Sequence, residues 1–225
     1  TGTPDDGWLT NGLVAYYPLD GNANDASGNG HHGTVNGASG VLGRIGGAYS
    51  FDGENDYIDC AGSLPDMESS TVSFWLKAPS LVAMTGMVIY EGNDRSGYDF
   101  QVFEEGGELA FRTKQSTGGW FGPAISTLPA DDWFLYTGVA DHVGDLKSIY
   151  INGSLVDQQS FSGTACLGNH AQFSIGARYY DNNWGVYFNG SIDDVRIYNR
   201  ALSSNEVALL YAGTAPDGDT DNDGM

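Results

Sequence analysis

Two apolar segments near opposite ends of the chain, each flanked by short oxygen-bearing side chains, restrict the fold more than any other feature. The first runs from Leu13 to Leu19 and leads into Asp20-Gly-Asn22-Ala-Asn24-Asp25. The second begins at Gly190 and runs through Ile192-Asp193-Asp194-Val-Arg-Ile to Tyr198. Each reads as one strand. Set side by side, the two ends close a β-sandwich at its seam, and their carboxylates and loop carbonyls converge on a hard cation such as calcium.

Between them lies a succession of short alternating runs, among them Ala48 to Phe51, Thr71 to Leu76, Gly86 to Tyr90, Tyr98 to Phe103, Glu108 to Arg112, Trp133 to Val139 and Phe173 to Ile175. Roughly a dozen strands emerge, more than one flat sheet holds. The composition agrees: 33 glycines, 12% aromatic and 17% charged residues in 225 suit many strands joined by tight turns and not a helical bundle. Asn152-Gly153 predicts a type I′ hairpin, and Asn36-Gly37 and Asn189-Gly190 are read as turns of the same kind. Two of these lie in Asn-Gly-Ser sequons, for which glycosylation is the alternative reading. One helix is predicted near the C-terminus, with Ser203 as N-cap and Glu206 as its capping-box partner.

These segments, with Phe51-Asp-Gly-Glu-Asn-Asp-Tyr57 and Arg200-Ala-Leu-Ser203, resemble the bacterial LamG-like jelly-roll domains of the concanavalin A-like lectin/glucanase class, from about Leu13 to Tyr211. The expected fold is all-β, a two-sheet antiparallel jelly-roll sandwich with one short C-terminal helix. Residues 1–11 read as an N-terminal tail, 12–213 as the domain, and 214–225 as an acidic linker. In that linker Asp219-x-Asp221-x-Asp223-Gly224 resembles the start of a thrombospondin type 3 calcium repeat. The resemblance also implies a calcium near the first strand and the acidic start of the last one. Asp20 and Asp193 are its leading candidate ligands, with Asn22 and Asp25 beside them. The alternative is that Asp20 and Asp25 only form turns and that Asp193 or Asp194 pairs with Arg196 or Arg200.

With 29 acidic against 9 basic residues, a formal charge of −20 repels nucleic acid and anionic lipid surfaces. No stretch is long and apolar enough to insert in a membrane. Cys60 and Cys166 either bridge, closing a loop of roughly 100 residues worth about 4–5 kcal/mol, or remain two thiols. His31 and His32, adjacent on a strand, point to opposite faces and cannot easily share an ion, and His142 and His170 lack Cys or His at zinc spacing.

No strand carries the closely spaced acids of a glycosidase, and Glu104-Glu105-Gly-Gly-Glu108 reads as a hairpin turn. Tyr180 to Phe188 has a superficial likeness to a lyase strand, but its companion strands are missing. What remains is recognition. Carbohydrate sites place aromatic faces beside amides. Trp184, Tyr180, Asn182, Tyr179 and Trp120 have that chemistry, and Tyr90, Glu91 and Asp94 are read as extending the same rim. The chain is therefore expected to be a non-catalytic, secreted or cell-surface adhesion or recognition module, monomeric as an isolated domain, that binds a glycan or another extracellular partner. The competing readings are a structural spacer and a divergent polysaccharide hydrolase or lyase.

Overall fold

The computed structural model describes residues 7–60, 62, 64–80, 84, 86–93, 97–114, 120–129, 132–162, 172–180 and 182–214. In chain order the elements are α1 (Gly7–Thr10), β1 (Leu13–Tyr17), β2 (Thr34–Asn36), β3 (Ser39–Leu42), β4 (Gly47–Asp52), β5 (Tyr57–Asp59) and β6 (Ser70–Lys77). There follow β7 (Gly86–Asn93), β8 (Gly97–Glu105), β9 (Glu108–Lys114), β10 (Trp120–Phe121), β11 (Ala124–Ile125), β12 (Phe134–Asp141) and β13 (Leu146–Ile151). The chain continues with β14 (Ser154–Ser160), β15 (Gln172–Ile175), β16 (Arg178–Tyr180), β17 (Asn183–Gly185), β18 (Asn189–Tyr198) and α2 (Ser204–Thr214).

Two antiparallel sheets form the sandwich. The first has the order β14-β13-β12-β6-β18-β4-β3, with β1 also on β18; the second has the order β10-β9-β8-β7-β15-β5-β2, with β11 also on β9. β16 and β17 make a separate hairpin. The all-β, two-sheet expectation holds, and the strand count exceeds a dozen because several strands are only two to four residues long.

The long strand β18 organises the seam. Its first half pairs with β4, its second half with β1, and β6 runs along its other side. The terminal segments thus lie side by side, Leu13 opposite Tyr198. Period-2 alternation sends Val72, Phe74 and Leu76 of β6 into the inter-sheet core with Phe100, Phe111, Phe134, Tyr136, Phe173 and Ile197. The opposite side of the same strand is buried too. Trp75 packs with Leu135, Tyr150, Tyr198, Val207 and Leu210 under α2, so the first sheet is covered on both faces.

α2 begins as the capping box requires: the Glu206 backbone N–H donates to Ser203 Oγ (3.3 Å) and the Ser203 N–H to Glu206 Oε2 (2.8 Å). Arg200 adds an ion pair to Glu206 at 2.7 Å. α1 is a one-turn addition that the sequence did not announce. Its Leu9 packs against the core under α2, so the part of the predicted tail around it is docked.

Asn152-Gly153 forms the expected turn, with φ of 51° and 76°. Asn189-Gly190 does not. These residues lie inside β18, where an added Cβ on Gly190 would stand 2.8 Å from the Lys77 carbonyl oxygen and 2.5 Å from the Phe188 ring. Glycine is needed there for close approach of a neighbouring strand, a second use of the residue that local sequence does not separate from a turn.

Candidate functional site

The acidic seam is built around one turn, Gly43 to Gly47, which leads from β3 into β4. Asp193 Oδ2 accepts the backbone N–H groups of Arg44 (2.8 Å) and Ile45 (2.9 Å), and Asp20 Oδ1 accepts that of Gly47 (2.5 Å). The turn has no room for larger residues. A Cβ on Gly43 would lie 2.6 Å from Asp193 Oδ2, and one on Gly46 2.3 Å from Asp20 Oδ1.

A bulge in β18 lets two consecutive acids both be buried. The β18–β6 register shifts between Asp193 and Arg196, and Asp194 takes a left-handed φ of 53°. Asp194 pairs with Arg196, whose guanidinium also lies 4.5 Å over the Tyr16 ring. Among the described residues Asp193 has no ion-pair partner. Burial pushes its carboxyl up to about 7, against the two backbone hydrogen bonds from Ile45 and Arg44, and the neighbouring charges of Asp194 and Asp20 act in the same upward direction. Its Oδ1 is buried without a hydrogen-bond partner.

This unpartnered oxygen is what a hard cation would complete. Asp20 and Asp193 fit that role together with oxygens of the surrounding turn, although no group of three acidic, histidine or cysteine side chains is gathered there among the described residues. Asn22 and Asp25 are engaged elsewhere. Asn22 is exposed, its Oδ1 accepting the Asn24 N–H (2.9 Å). Asp25 organises its own loop: Oδ1 accepts from Tyr16 (3.0 Å) and Ser27 (2.8 Å), and Oδ2 from His31 (3.0 Å). Burial works to raise the Asp25 carboxyl, and these bonds prevail and lower it. The histidine pair belongs to the same loop, His32 Nδ1 accepting the Asp25 N–H (3.1 Å).

Cys60 is a buried free thiol. Burial raises its pKa strongly, and Tyr17 is its side-chain hydrogen-bond partner. Cys166 lies outside the described residues, so the bridge proposed between them is not part of the described structure.

The aromatic residues gather at the β16–β17 hairpin. Tyr179 and Trp184 are cross-strand partners, and Asn182, with φ 62°, supplies the turn. Two backbone bonds tie the hairpin's flanks to β7 of the second sheet, Met87 N–H to Val186 O (2.9 Å) and Gly176 N–H to Val88 O (2.9 Å), and Phe188 N–H to Gly176 O (2.8 Å) joins the flanks to each other. Tyr179 folds over the outer face of that sheet, onto a cluster of Met87, Tyr90, Phe103 and Ala110.

Trp184 is half-buried. Its ring stacks on Tyr57 with centroids 4.0 Å apart and planes at 24°, and Tyr179 tilts against it at 5.0 Å and 57°. Tyr187 approaches Tyr57 at 6.5 Å. Asn182 and Asn183 are exposed beside this group.

Other candidates fall differently. Tyr180 is on β16 opposite Asn183, and Trp120 is on β10 opposite Lys114. Tyr90 and Glu91 are fully buried and do not extend the rim: Tyr90 lies in the outer-face cluster that Tyr179 covers, and Glu91 Oε1 accepts the Leu64 N–H (3.1 Å). Asp94 lies outside the described residues.

Tyr57 is the residue that sequence reasoning missed. It was absorbed into the turn Phe51 to Tyr57, and that turn is real: Asp52 Oδ1 accepts the Glu54 N–H (2.8 Å) and Asp56 Oδ2 the Asp52 N–H (3.0 Å). The available signal was alternation. Ile58 is buried, so Tyr57 and Asp59 stand together on the other face.

A two-sheet sandwich with its terminal strands joined and aromatic rings on an outer face defines a lectin-like class of domain. Residues 52–208 match the Laminin G group of the concanavalin A-like lectin/glucanases superfamily, and the chain belongs to it. Among solved structures, domain 4 of AbnA, a GH43 extracellular arabinanase from Geobacillus stearothermophilus solved in complex with arabinotriose, is similar at 24% identity and a TM-score of 0.69. That likeness covers 91% of this chain and 98% of the other. The binding domain of Paraclostridial Mosquitocidal Protein 1 matches at 20% identity and TM-score 0.71, over 91% of this chain and 53% of its own. The botulinum neurotoxin serotype D binding domain matches at 19% identity and TM-score 0.69, over 91% and 52%. The likeness thus spans nearly all of the AbnA domain and about half of each toxin binding domain. No curated protein sequence matches the chain significantly.

Proposed function

We propose that the chain is a non-catalytic carbohydrate-recognition or adhesion module of a bacterial, secreted or cell-surface multidomain protein, stabilised by a structural calcium ion. One observation carries the reading: a half-buried tryptophan, three tyrosines and two exposed asparagines are held at one hairpin on the outer face of a sheet. Rings so placed cover the apolar face of a sugar, while amides meet its hydroxyls. The AbnA domain in complex with arabinotriose supports the same use of this fold, and the toxin binding domains support a binding role in general.

The non-catalytic part rests on the carboxylates. Glu104 Oε1 is spent on the Gly107 N–H in the β8–β9 turn (2.7 Å), as a structural acid would be. Calcium would be held by Asp20 and Asp193, where its role is to neutralise a buried charge and join the terminal segments. The acidic segment from Asp219 to Gly224, outside the described residues, would begin a second calcium-binding module.

Affinity electrophoresis through gels containing arabinan, xylan or galactan tests the reading. Retarded wild-type protein, with binding weakened at least about tenfold in Trp184→Ala and cooperative unfolding retained, is the expected result. A wild-type protein that no polysaccharide retards is a spacer, and turnover of any of them would make it an enzyme.

A further inference from the structure

The Trp184 ring is already engaged by its neighbours. Tyr57 stacks on it at 4.0 Å and Tyr179 tilts against it at 5.0 Å, so the indole serves as a wall that other rings lean on. Tyr57 is at the edge of this group. It is partly exposed, backed on one side by Trp184, and among the described residues its other ring contact is a distant, tilted Tyr187 at 6.5 Å and 38°.

Beside it, on the same face of β5, stands Asp59. The two flank buried Ile58, and in register Asp59 lies between Thr34 of β2 and Ser174 of β15. Gln172 of β15 donates its Nε2 to Asp59 Oδ1 and is itself steadied by the Phe173 carbonyl at 3.3 Å. The carboxylate is therefore oriented from the side while its residue remains partly exposed. Tyr57 feels that charge: burial and then Asp59 raise its hydroxyl pKa.

From this juxtaposition we propose that Tyr57 is the ring on which a sugar stacks, that Asp59 is the fixed acceptor for that sugar's hydroxyls, and that the pair selects uncharged glycans. The inference rests on the carbohydrate-binding reading and names its substrate class. A rigid carboxylate accepts hydrogen bonds from neighbouring hydroxyls and is stronger in that role than a neutral acceptor. The same carboxylate, on a chain of net charge −20, repels uronates and sulfated sugars.

The test compares wild type, Tyr57→Leu, Tyr57→Phe, Asp59→Asn and Trp184→Ala by affinity electrophoresis and calorimetry. The neutral probes are arabinan, xylan and galactan, and polygalacturonate is the anionic probe. Tyr57→Leu keeps apolar contact with Trp184 but removes the stacking ring, and Asp59→Asn keeps shape but removes charge. The expected result is that wild type binds at least one neutral polysaccharide and not polygalacturonate. Tyr57→Leu and Asp59→Asn should each weaken that binding about tenfold or more while melting cooperatively, and Tyr57→Phe should retain most of it. Neutral binding that is unchanged in both Tyr57→Leu and Asp59→Asn overturns this inference and leaves the carbohydrate reading standing. Wild-type binding of polygalacturonate as tightly as the neutral probes overturns the charge selection. Wild type that binds none of the four probes overturns both.

Discussion

Phe111 of one sheet lies against Gly138 of the other, with no side chain between ring and backbone. A Cβ added to Gly138 would stand 2.8 Å from two atoms of that ring. Gly138 is in β12, on the side shared with Phe134 and Tyr136, so the glycine sets how closely the sheets approach. Gly138→Ala should therefore overpack the core and cost about 1–3 kcal/mol, despite the better strand propensity of alanine. Urea unfolding should show a lower midpoint at an unchanged slope.

Lys147 points inward from β13 and is 1% exposed, its ammonium 4.6 Å from the Phe161 ring and 3.4 Å from the Thr113 carbonyl oxygen. Burial lowers its pKa from 10.5 to about 8. Between those two values the unfolded chain holds the proton and the folded one does not, so stability rises with pH from about 8 to about 10.5. Below that window the folded state carries the cost of burying the charged ammonium, offset in part by the Phe161 ring and the Thr113 carbonyl. Lys147→Met should raise the melting temperature at pH 7 and flatten the alkaline rise, as thermal melts across that range will show.

If calcium joins the terminal segments, chelation should lower the melting temperature, because an ion held only by the folded state stabilises it by mass action. At a hundredfold excess of calcium over its dissociation constant the gain is about 2.7 kcal/mol. Asp193→Ala and Asp20→Ala should lose the response. Asp25→Ala should melt lower with and without chelator yet keep the response, since its oxygens are spent on the backbone of its own loop. An identical melt with and without chelator in wild type counts against the ion.

Cys60 should resist iodoacetamide in the native protein at pH 8. Burial raises its pKa and so suppresses the reactive thiolate, and its surface is 1% exposed. Peptide mass spectrometry should find it alkylated only after unfolding. Native labelling of Cys60 at the rate of a free peptide thiol contradicts the placement.

The seam was legible because local chemistry and global pairing agree there. Apolar alternation marks Leu13 to Tyr17 and Ile192 to Tyr198 as strands, and Ser203 with Glu206 marks the start of α2 without any tertiary knowledge. Glycine and aromatic residues were read less well, since each serves two purposes with one local pattern. Asn189-Gly190 looks like a turn, yet the glycine is required by a strand from over a hundred residues earlier. Tyr90 and Trp184 look alike in sequence. Tyr90 lies beneath the hairpin, covered through Tyr179, while Trp184 belongs to the hairpin itself, so one ring is buried and the other half out. The contact between Tyr57 and Trp184 joins distant parts of the chain, and only the pairing of β5 with β15 and the folding of the hairpin over that sheet bring it about.

The antiparallel union of β1 with β18 also fixes how the domain bears tension. Leu13 faces Tyr198 at one end of the ladder, and the Asn199 N–H bonds the Gly12 carbonyl oxygen just beyond it at 2.8 Å. Once α2 and the Gly7–Thr10 turn have been peeled off, a pull on the two flanking segments reaches this end first and loads its hydrogen bonds one after another, as a zipper opens. Strung within a tether, the module would behave as an extensible link that yields at low force rather than as a stiff shear-locked clamp.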